Sequence, residues 1–206
     1  MKNVLITCRS NYNKHGELIW TLENNWYEFF KRRKVNLIPI TPSKRFKDQL
    51  KQLKPRGIIF SGGNDLNFLN KNKANLARDR FELKLLKIAL KNKLPILGVC
   101  RGFQLIAYFY KSKIFKKNNH VRKIHTLKFN RKIKEKLIKT IKVNSFHNFV
   151  ISNLPKIFDF IVRDNDQTIE LAYSKKLKIL NTMFHPERKN GSQNYINQLV
   201  FSHFKI

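Results

Sequence analysis

The apolar run Leu94-Pro95-Ile96-Leu97 passes through Gly98-Val99-Cys100-Arg101-Gly102 directly into a helix-like segment, Phe103-Gln104-Leu105-Ile106-Ala107-Tyr108. A buried strand that turns so abruptly into a helix restricts the chain to folds in which strands lie side by side with helices packed over them. Glycines flanking a cysteine permit the sharp, strained turn of a nucleophile elbow, with Cys here in the usual place of Ser. The turn would hold the sulfur at the N-terminus of the following helix, whose dipole favours the thiolate. Taken alone, the pentapeptide reads equally well as a tight turn around a buried thiol. Its meaning depends on partners elsewhere in the chain.

The remaining apolar segments alternate in the way this turn demands. Val4 to Cys8 reads as a strand, and Trp20 to Arg33 as an amphipathic helix carrying Trp20, Leu22, Trp26, Phe29 and Phe30. Asn36 to Ile40 reads as a second strand, stopped by Pro39 and Pro42, with Ser43 positioned to cap a helix running to Leu53. Gly57 to Phe60 is a short buried strand ending at Ser61-Gly62-Gly63, and Arg78 to Leu90 is a helix with apolar positions at Phe81, Leu85, Ile88 and Ala89. The second half differs: strand-like runs at Ile124–Phe129, Thr140–Ser145, Phe158–Val162, Ile169–Tyr173 and Ile179–Phe184 come with little helix between them, before a final helix at Tyr195–Phe204. The expected fold is α/β, a flavodoxin-like open, mostly parallel sheet flanked by helices, with extra antiparallel strands in the C-terminal half. At 206 residues, without repeat or linker, positions 1–206 read as a single domain.

A net charge of +30, from 43 Lys and Arg against 13 Asp and Glu, would ordinarily suggest nucleic acid or an anionic membrane. The basic residues are spread almost evenly, however, and accompany abundant Asn, Ile and Phe, which reads as compositional bias; neither nucleic acid nor membrane is expected as a partner. The densest clusters are Lys31 to Lys34, Lys111 to Lys117 and Arg131 to Lys142. Two cysteines, Cys8 and Cys100, exclude a disulfide framework, and no signal peptide or membrane span is recognisable. A cytoplasmic protein with a reactive thiol is the expectation.

In an open parallel sheet, function collects at the carboxyl ends of the strands. Arg9, Ser61-Gly62-Gly63-Asn64-Asp65, Cys100 and His185-Pro186-Glu187 all fall there. A cysteine nucleophile needs a base that takes its proton and later protonates the leaving group, which suits histidine. A carboxylate two residues away on extended backbone can orient that histidine, so Cys100, His185 and Glu187 form a candidate triad. The N–H groups of Gly63 and Arg101 are candidates for an oxyanion hole. Arg9 reads as a bidentate partner for a substrate carboxylate or phosphate or as solvated surface, while His120 and His147 read equally as substrate contacts or as satisfied structural histidines. No His, Cys and carboxylate group shows metal spacing and no P-loop is present, so neither metal nor cofactor is expected.

Four stretches in order, Ser61-Gly62-Gly63-Asn64-Asp65-Leu66, Pro95 to Gln104, Val143-Asn144-Ser145-Phe146-His147-Asn148 and Phe184-His185-Pro186-Glu187, resemble the class I glutamine amidotransferase domains and their relatives, the γ-glutamyl hydrolases of peptidase family C26. The resemblance covers essentially the whole chain. It implies a Cys-His-Glu triad that forms and hydrolyses a γ-glutamyl thioester, with Gln104, Ser145, Phe146 and His147 holding the glutamyl group of a small-molecule substrate. Arg101 after the nucleophile, where ammonia-supplying glutaminases usually carry an apolar residue, and Gly-Gly-Asn-Asp in place of Gly-Gly-Pro look like the free-standing hydrolases, such as those acting on γ-glutamyl-γ-aminobutyrate. Within them, the 143–149 run and the 184–190 ending are similar to the branch that cleaves a nucleotide-linked γ-glutamyl-CDP-amidate in capsule biosynthesis. A glutaminase subunit is the alternative. Tyr110-Lys111-Ser112-Lys113 departs from the Gly-Gly pair common in the family after the elbow helix.

Overall fold

Continuous apolar runs at Gly57–Phe60 and Ile96–Val99 are buried at every position, as strands covered on both faces must be. In a computed structural model, which describes all residues except 44, 119, 134 and 135, the first half of the chain runs β1 (Lys2–Thr7), β2 (Arg9–Tyr12), β3 (Leu18–Thr21), α1 (Asn25–Phe30), β4 (Val35–Ile40), α2 (Phe46–Leu53), β5 (Gly57–Phe60) and α3 (Lys73–Lys91). It continues through β6 (Ile96–Val99), α4 (Arg101–Phe109), β7 (Ile114–Lys116), β8 (Val121–Ile133), β9 (Lys136–Phe146), β10 (Phe149–Ile151), β11 (Phe160–Arg163), β12 (Ile169–Ser174), β13 (Ile179–Thr182) and α5 (Gln193–Phe204).

Seven strands form the main sheet in the order β11-β12-β13-β6-β5-β1-β4. The five from β13 to β4 are parallel, and β12 and β11 extend them antiparallel. Separate two-stranded ribbons pair β2 with β3, β7 with β10 and β8 with β9. One face of the sheet, through Val4, Ile6, Ile59, Leu97 and Val99, packs on Trp26 and Phe30 of α1, Val200 and Phe204 of α5, and Leu127 and Ile141 of the β8–β9 hairpin. The other, through Leu5, Ile58, Phe60 and Ile96, packs on α2, α3 and α4 by way of Leu50, Leu85, Leu86, Phe103 and Ile106. The carboxyl ends of β1, β5, β6 and β13 therefore come together at one edge of a two-sided core.

Several elements differ from the sequence reading. Trp20 and Thr21, expected to start a helix, instead belong to the β2–β3 hairpin, with Ser10 opposite Trp20. The side chain of Asn13 accepts from the backbone N–H groups of His15 and Glu17, and Gly16 at φ +77° completes the turn. The helix is thereby confined to α1. Pro39 lies inside β4 instead of ending it, because β4 is an edge strand and its outer N–H needs no partner. Ser43 makes no side-chain cap to α2, whose N-cap is Arg45. α3 begins earlier than read, at Lys73, because Asn72 accepts from the N–H of Asn75 at 2.8 Å. Ile179–Phe184, grouped by sequence with the added antiparallel strands, contributes β13, which runs parallel to β6. The basic run 131–142 includes 134 and 135, which lie outside the described residues. Among the described residues, no helix is long and apolar enough to cross a membrane.

Candidate active site

Cys100 closes β6 with φ 50° and ψ −105°, a conformation that few side-chain-bearing residues adopt and that marks a strained elbow. Its N–H donates to the Thr182 carbonyl of β13 at 2.8 Å, and its own carbonyl accepts from Gln104 at 3.0 Å to start α4. A Cβ at Gly102 would lie 2.0 Å from the Phe60 carbonyl oxygen, so only glycine lets α4 approach β5 closely enough to make this turn. The sequence signal of two flanking glycines thus has a steric cause on the downstream side.

His185 follows β13 and is held through its backbone. Its N–H donates to Asn144 Oδ1 at 2.9 Å, and its carbonyl accepts from Asn144 Nδ2 at 2.9 Å and Asn190 Nδ2 at 3.0 Å. The ring Nδ1 stands 2.6 Å from Glu187 Oε1. The opposite edge of the ring faces the elbow: a Cβ on Gly62 would lie 2.6 Å from His185 Cε1, 3.3 Å from its Nε2 and 3.5 Å from Cys100 Cβ. Glycine at 62 therefore makes room for the imidazole beside the sulfur. Cys100 is 8 % and His185 2 % exposed. Burial disfavours an imidazolium there, but the Glu187 charge and hydrogen bonds to Cys100 and Glu187 outweigh it and raise the His185 pKa to about 10. The shift favours the imidazolium form. The second oxygen of Glu187 is buried without a hydrogen-bond partner.

The two candidate oxyanion donors are placed by different devices. Gly63 has φ +77°, and its turn is fixed by Arg78 of α3, whose guanidinium donates to the carbonyls of Ser61, Gly62 and Gly63 at 2.8, 3.2 and 2.5 Å. The N–H of Arg101 lies in the first turn of α4, where no carbonyl four residues back can accept it. The Arg101 side chain goes elsewhere. It is 1 % exposed and reaches Asp79 and Glu82 of α3, and Glu82 also pairs with Arg78 at 2.9 Å. Burial and the nearby Arg101 charge lower the Arg78 pKa to about 10, which leaves it cationic at neutral pH.

At the rim, Arg9 donates to Thr21 Oγ1 at 3.2 Å and, with Gly62, Trp26 and Glu187, lines a small cavity. The Phe146 ring stands edge-on to His185, 6.1 Å between centroids, and Arg188 lies 4.8 Å over that ring while gripping Glu23 at 2.7 and 3.2 Å. Other expected substrate contacts are engaged inside the protein. Ser145 is fully buried and donates its hydroxyl to the His120 carbonyl, Gln104 donates to the Phe149 carbonyl at 3.1 Å, and His147 Nε2 lies 3.2 Å from Glu170 Oε1. Alternation along β9 separates the two sets: Asn144 and Phe146 project to the His185 side, and Ser145 projects away from it toward His120. Sequence reasoning missed Asn144, although the same period of two from Phe146 would have found it. It also missed Arg78, Asp79 and Glu82, whose spacing on α3 gives no hint of Arg101 as their partner.

The peptidase C26 family model matches residues 11–187. A γ-glutamyl-CDP-amidate hydrolase from Campylobacter jejuni is 34 % identical over 190 residues, covering 92 % of this chain and 90 % of its own. One subunit of the glutamine-hydrolysing GMP synthase from Pyrococcus furiosus is 31 % identical over 151 residues, 72 % of this chain and 74 % of its own. Among solved structures, a putative GMP synthase subunit from Thermoplasma acidophilum superposes with a TM-score of 0.70 at 20 % identity, covering 99 % of this chain and 92 % of its own. A glutamine amidotransferase from Thermotoga maritima gives 0.67 at 14 % identity, covering 99 % and 83 %. These structures share the open, mostly parallel sheet described above.

Proposed function

Since the chain belongs to the peptidase C26 family, we propose that it is a free-standing hydrolase of γ-glutamyl amides, working as one domain over residues 1–206 in the cytoplasm and needing no cofactor for the reaction. Cys100 attacks the γ-carbonyl, forming a C–S bond, and the developing oxyanion is received by the N–H groups of Gly63 and Arg101. The tetrahedral intermediate collapses to a γ-glutamyl thioester as the C–N bond breaks, and the departing nitrogen takes its proton from His185. Water then loses a proton to His185, attacks the thioester and releases glutamate, with the sulfur leaving. Glu187 orients the imidazole through Nδ1 and balances its charge.

The observation that carries this reading is His185 held between Glu187 at 2.6 Å and the strained elbow of Cys100. An imidazolium in that position both stabilises negative charge on sulfur and has a proton ready for the leaving group. Arg9 and Arg188 at the rim supply positive charge for the rest of the substrate, with Phe146 as an apolar wall. The substrate favoured is γ-glutamyl-CDP-amidate, yielding glutamate and cytidine diphosphoramidate; its support is the Campylobacter jejuni relative together with this basic rim. A second reading, glutaminase subunit of a synthetase, is supported by the Pyrococcus furiosus relative.

Glutamate release measured from γ-glutamyl-CDP-amidate, γ-glutamyl-γ-aminobutyrate, γ-glutamyl dipeptides and glutamine separates the two. The CDP-amidate is expected to give the highest kcat/KM. Preferential glutamine hydrolysis that rises on adding a synthetase would replace the first reading with the second, and activity surviving Cys100→Ala would overturn both.

A further inference from the structure

Away from Cys100, a second group of ionisable side chains is buried where the β8–β9 hairpin meets β12 and the turn between β11 and β12. His120 directly precedes the hairpin and His125 belongs to it, Asp164 comes from the turn and Glu170 from β12, and one ligand atom of each lies within 4.8 Å of those of the others. His120 is 2 %, Asp164 7 % and Glu170 0 % exposed. Interiors almost always pair such atoms. Here both ring nitrogens of His120, Nδ1 of His125 and both oxygens of Glu170 are buried without a hydrogen bond.

The spacing says what is missing. His120 Nδ1 stands 3.7 Å and His125 Nδ1 3.6 Å from Asp164 Oδ2, and His125 Nδ1 stands 3.3 Å from Glu170 Oε1. Two of these separations exceed hydrogen-bond length. Donor atoms about 2.0–2.1 Å from a tetrahedral zinc ion lie about 3.3–3.5 Å apart; the His125–Glu170 separation falls in that range, and the two to Asp164 are a few tenths of an ångström longer. The surroundings resemble an outer shell. Thr168 donates to both Asp164 oxygens at 2.8 Å, the second nitrogen of His120 faces Asp166 at 3.5 Å, and His147 faces Glu170 at 3.2 Å. Charge points the same way: in a chain with only 13 acidic residues, Asp164, Asp166 and Glu170 are gathered at one spot, and two of them are buried. A divalent cation neutralises the two buried carboxylates, Asp164 and Glu170.

We propose that His120, His125, Asp164 and Glu170 bind one divalent transition-metal ion of the zinc class, tying the β8–β9 hairpin to β12 and the β11–β12 turn. Two imidazoles and two carboxylates favour zinc-like ions over magnesium or calcium, which take oxygen sets. A cleft of about 430 Å³ bordered by Lys123, His125 and Asp164 gives an ion a way in. The proposal revises the expectation of no metal: His120 and His125 lie five residues apart and Asp164 and Glu170 six, but the two pairs are 39 positions apart in the chain and only the fold brings them together. It is independent of the reaction at Cys100.

The test uses the full-length Cys100→Ser protein, so that the active-site thiol cannot take up metal. Stripped with a chelator, it is titrated with Zn²⁺ by calorimetry and with Co²⁺ by visible absorption. One ion per chain, an intense tetrahedral Co²⁺ spectrum and a higher unfolding temperature with Zn²⁺ are expected. His125→Ala and the volume-conserving Asp164→Asn should each weaken binding at least about a hundredfold. Circular dichroism identifies any variant that fails to fold, and Asp164→Asn, which keeps its shape, then decides. Absence of stoichiometric uptake, or uptake unchanged in a folded variant, overturns the proposal.

Discussion

His185 beside Glu187 and the trio His120, His125 and His147 beside Asp164 and Glu170 use the same residue types in opposite ways. His185 has its backbone clamped by Asn144 and Asn190, one nitrogen in a 2.6 Å contact with Glu187, and its remaining edge against the elbow. The other histidines look at their carboxylates across 3.2–3.7 Å with no hydrogen bond made by His120, or by Nδ1 of His125. A short, oriented contact suits proton transfer, whereas a ring of donors around a gap suits a third body. Both lie along the β8–β9 hairpin, one beside each face of β9.

The strongest way to break the contrast is to remove the group toward which His185 is aimed. Cys100→Ala should lower glutamate release by about 10⁴-fold or more, as for other covalent nucleophiles, while thermal unfolding stays close to that of the parent. Stopped assays with the preferred γ-glutamyl substrate, paired with a melting curve, check both halves. Next in size is the buried charge beneath the elbow. Arg101→Leu would leave Asp79 without its arginine and Glu82 with only Arg78, and should cost about 3–5 kcal/mol in urea unfolding. A loss below about 1 kcal/mol would mean that the cluster tolerates an unpaired carboxylate, and the distinction between internally balanced and unbalanced polar groups would fail.

How far these regions were legible follows from their range in sequence. The parallel strands, the elbow and the His-Pro-Glu run are local patterns, and the sheet only had to bring their ends together. Trp20 misled because it adjoins a helical pattern, Leu22, Trp26, Phe29 and Phe30, and was joined to it although it stands two residues from Leu22, a strand's spacing, while Asn13 and Gly16 supplied a turn signal that the helical pattern masked. The 143–148 run, read as a block, hides that Asn144 and Ser145 face opposite ways, which strand alternation alone would have separated. Arg101 stood out in sequence as a charge beside the nucleophile, yet its partners Asp79 and Glu82 are long-range and only the packing of α4 on α3 reveals them. The histidine cluster was illegible for the same reason.

Asn144 sharpens the contrast, since it lies on the same strand as Ser145 but faces the other way. Asn144→Ala removes both side-chain bonds to the His185 backbone, and a displacement of about 1 Å at a reacting group costs about a hundredfold. The loss should fall on kcat with KM little changed, and equal losses in a variant that keeps both bonds would show that His185 is held by something else.

The smallest effect is one of pH. His185 has its pKa raised from 6.5 to about 10 in the folded protein, so the protonated ring binds Glu187 more favourably folded than unfolded. That contribution is complete below about pH 6.5, where the ring is protonated in both states, and declines as pH rises toward 10, because the unfolded chain releases the proton first. Glu187→Gln removes the charge that holds the proton. The stability gap between parent and variant, read from urea midpoints at matched pH, should therefore be widest near pH 6.5 and close by about pH 10. A gap that stays constant over that window would mean that Glu187 stabilises the fold by its hydrogen bond alone. His185 would then be neutral, and protonation of the leaving group would have to come from a proton taken from Cys100 during attack.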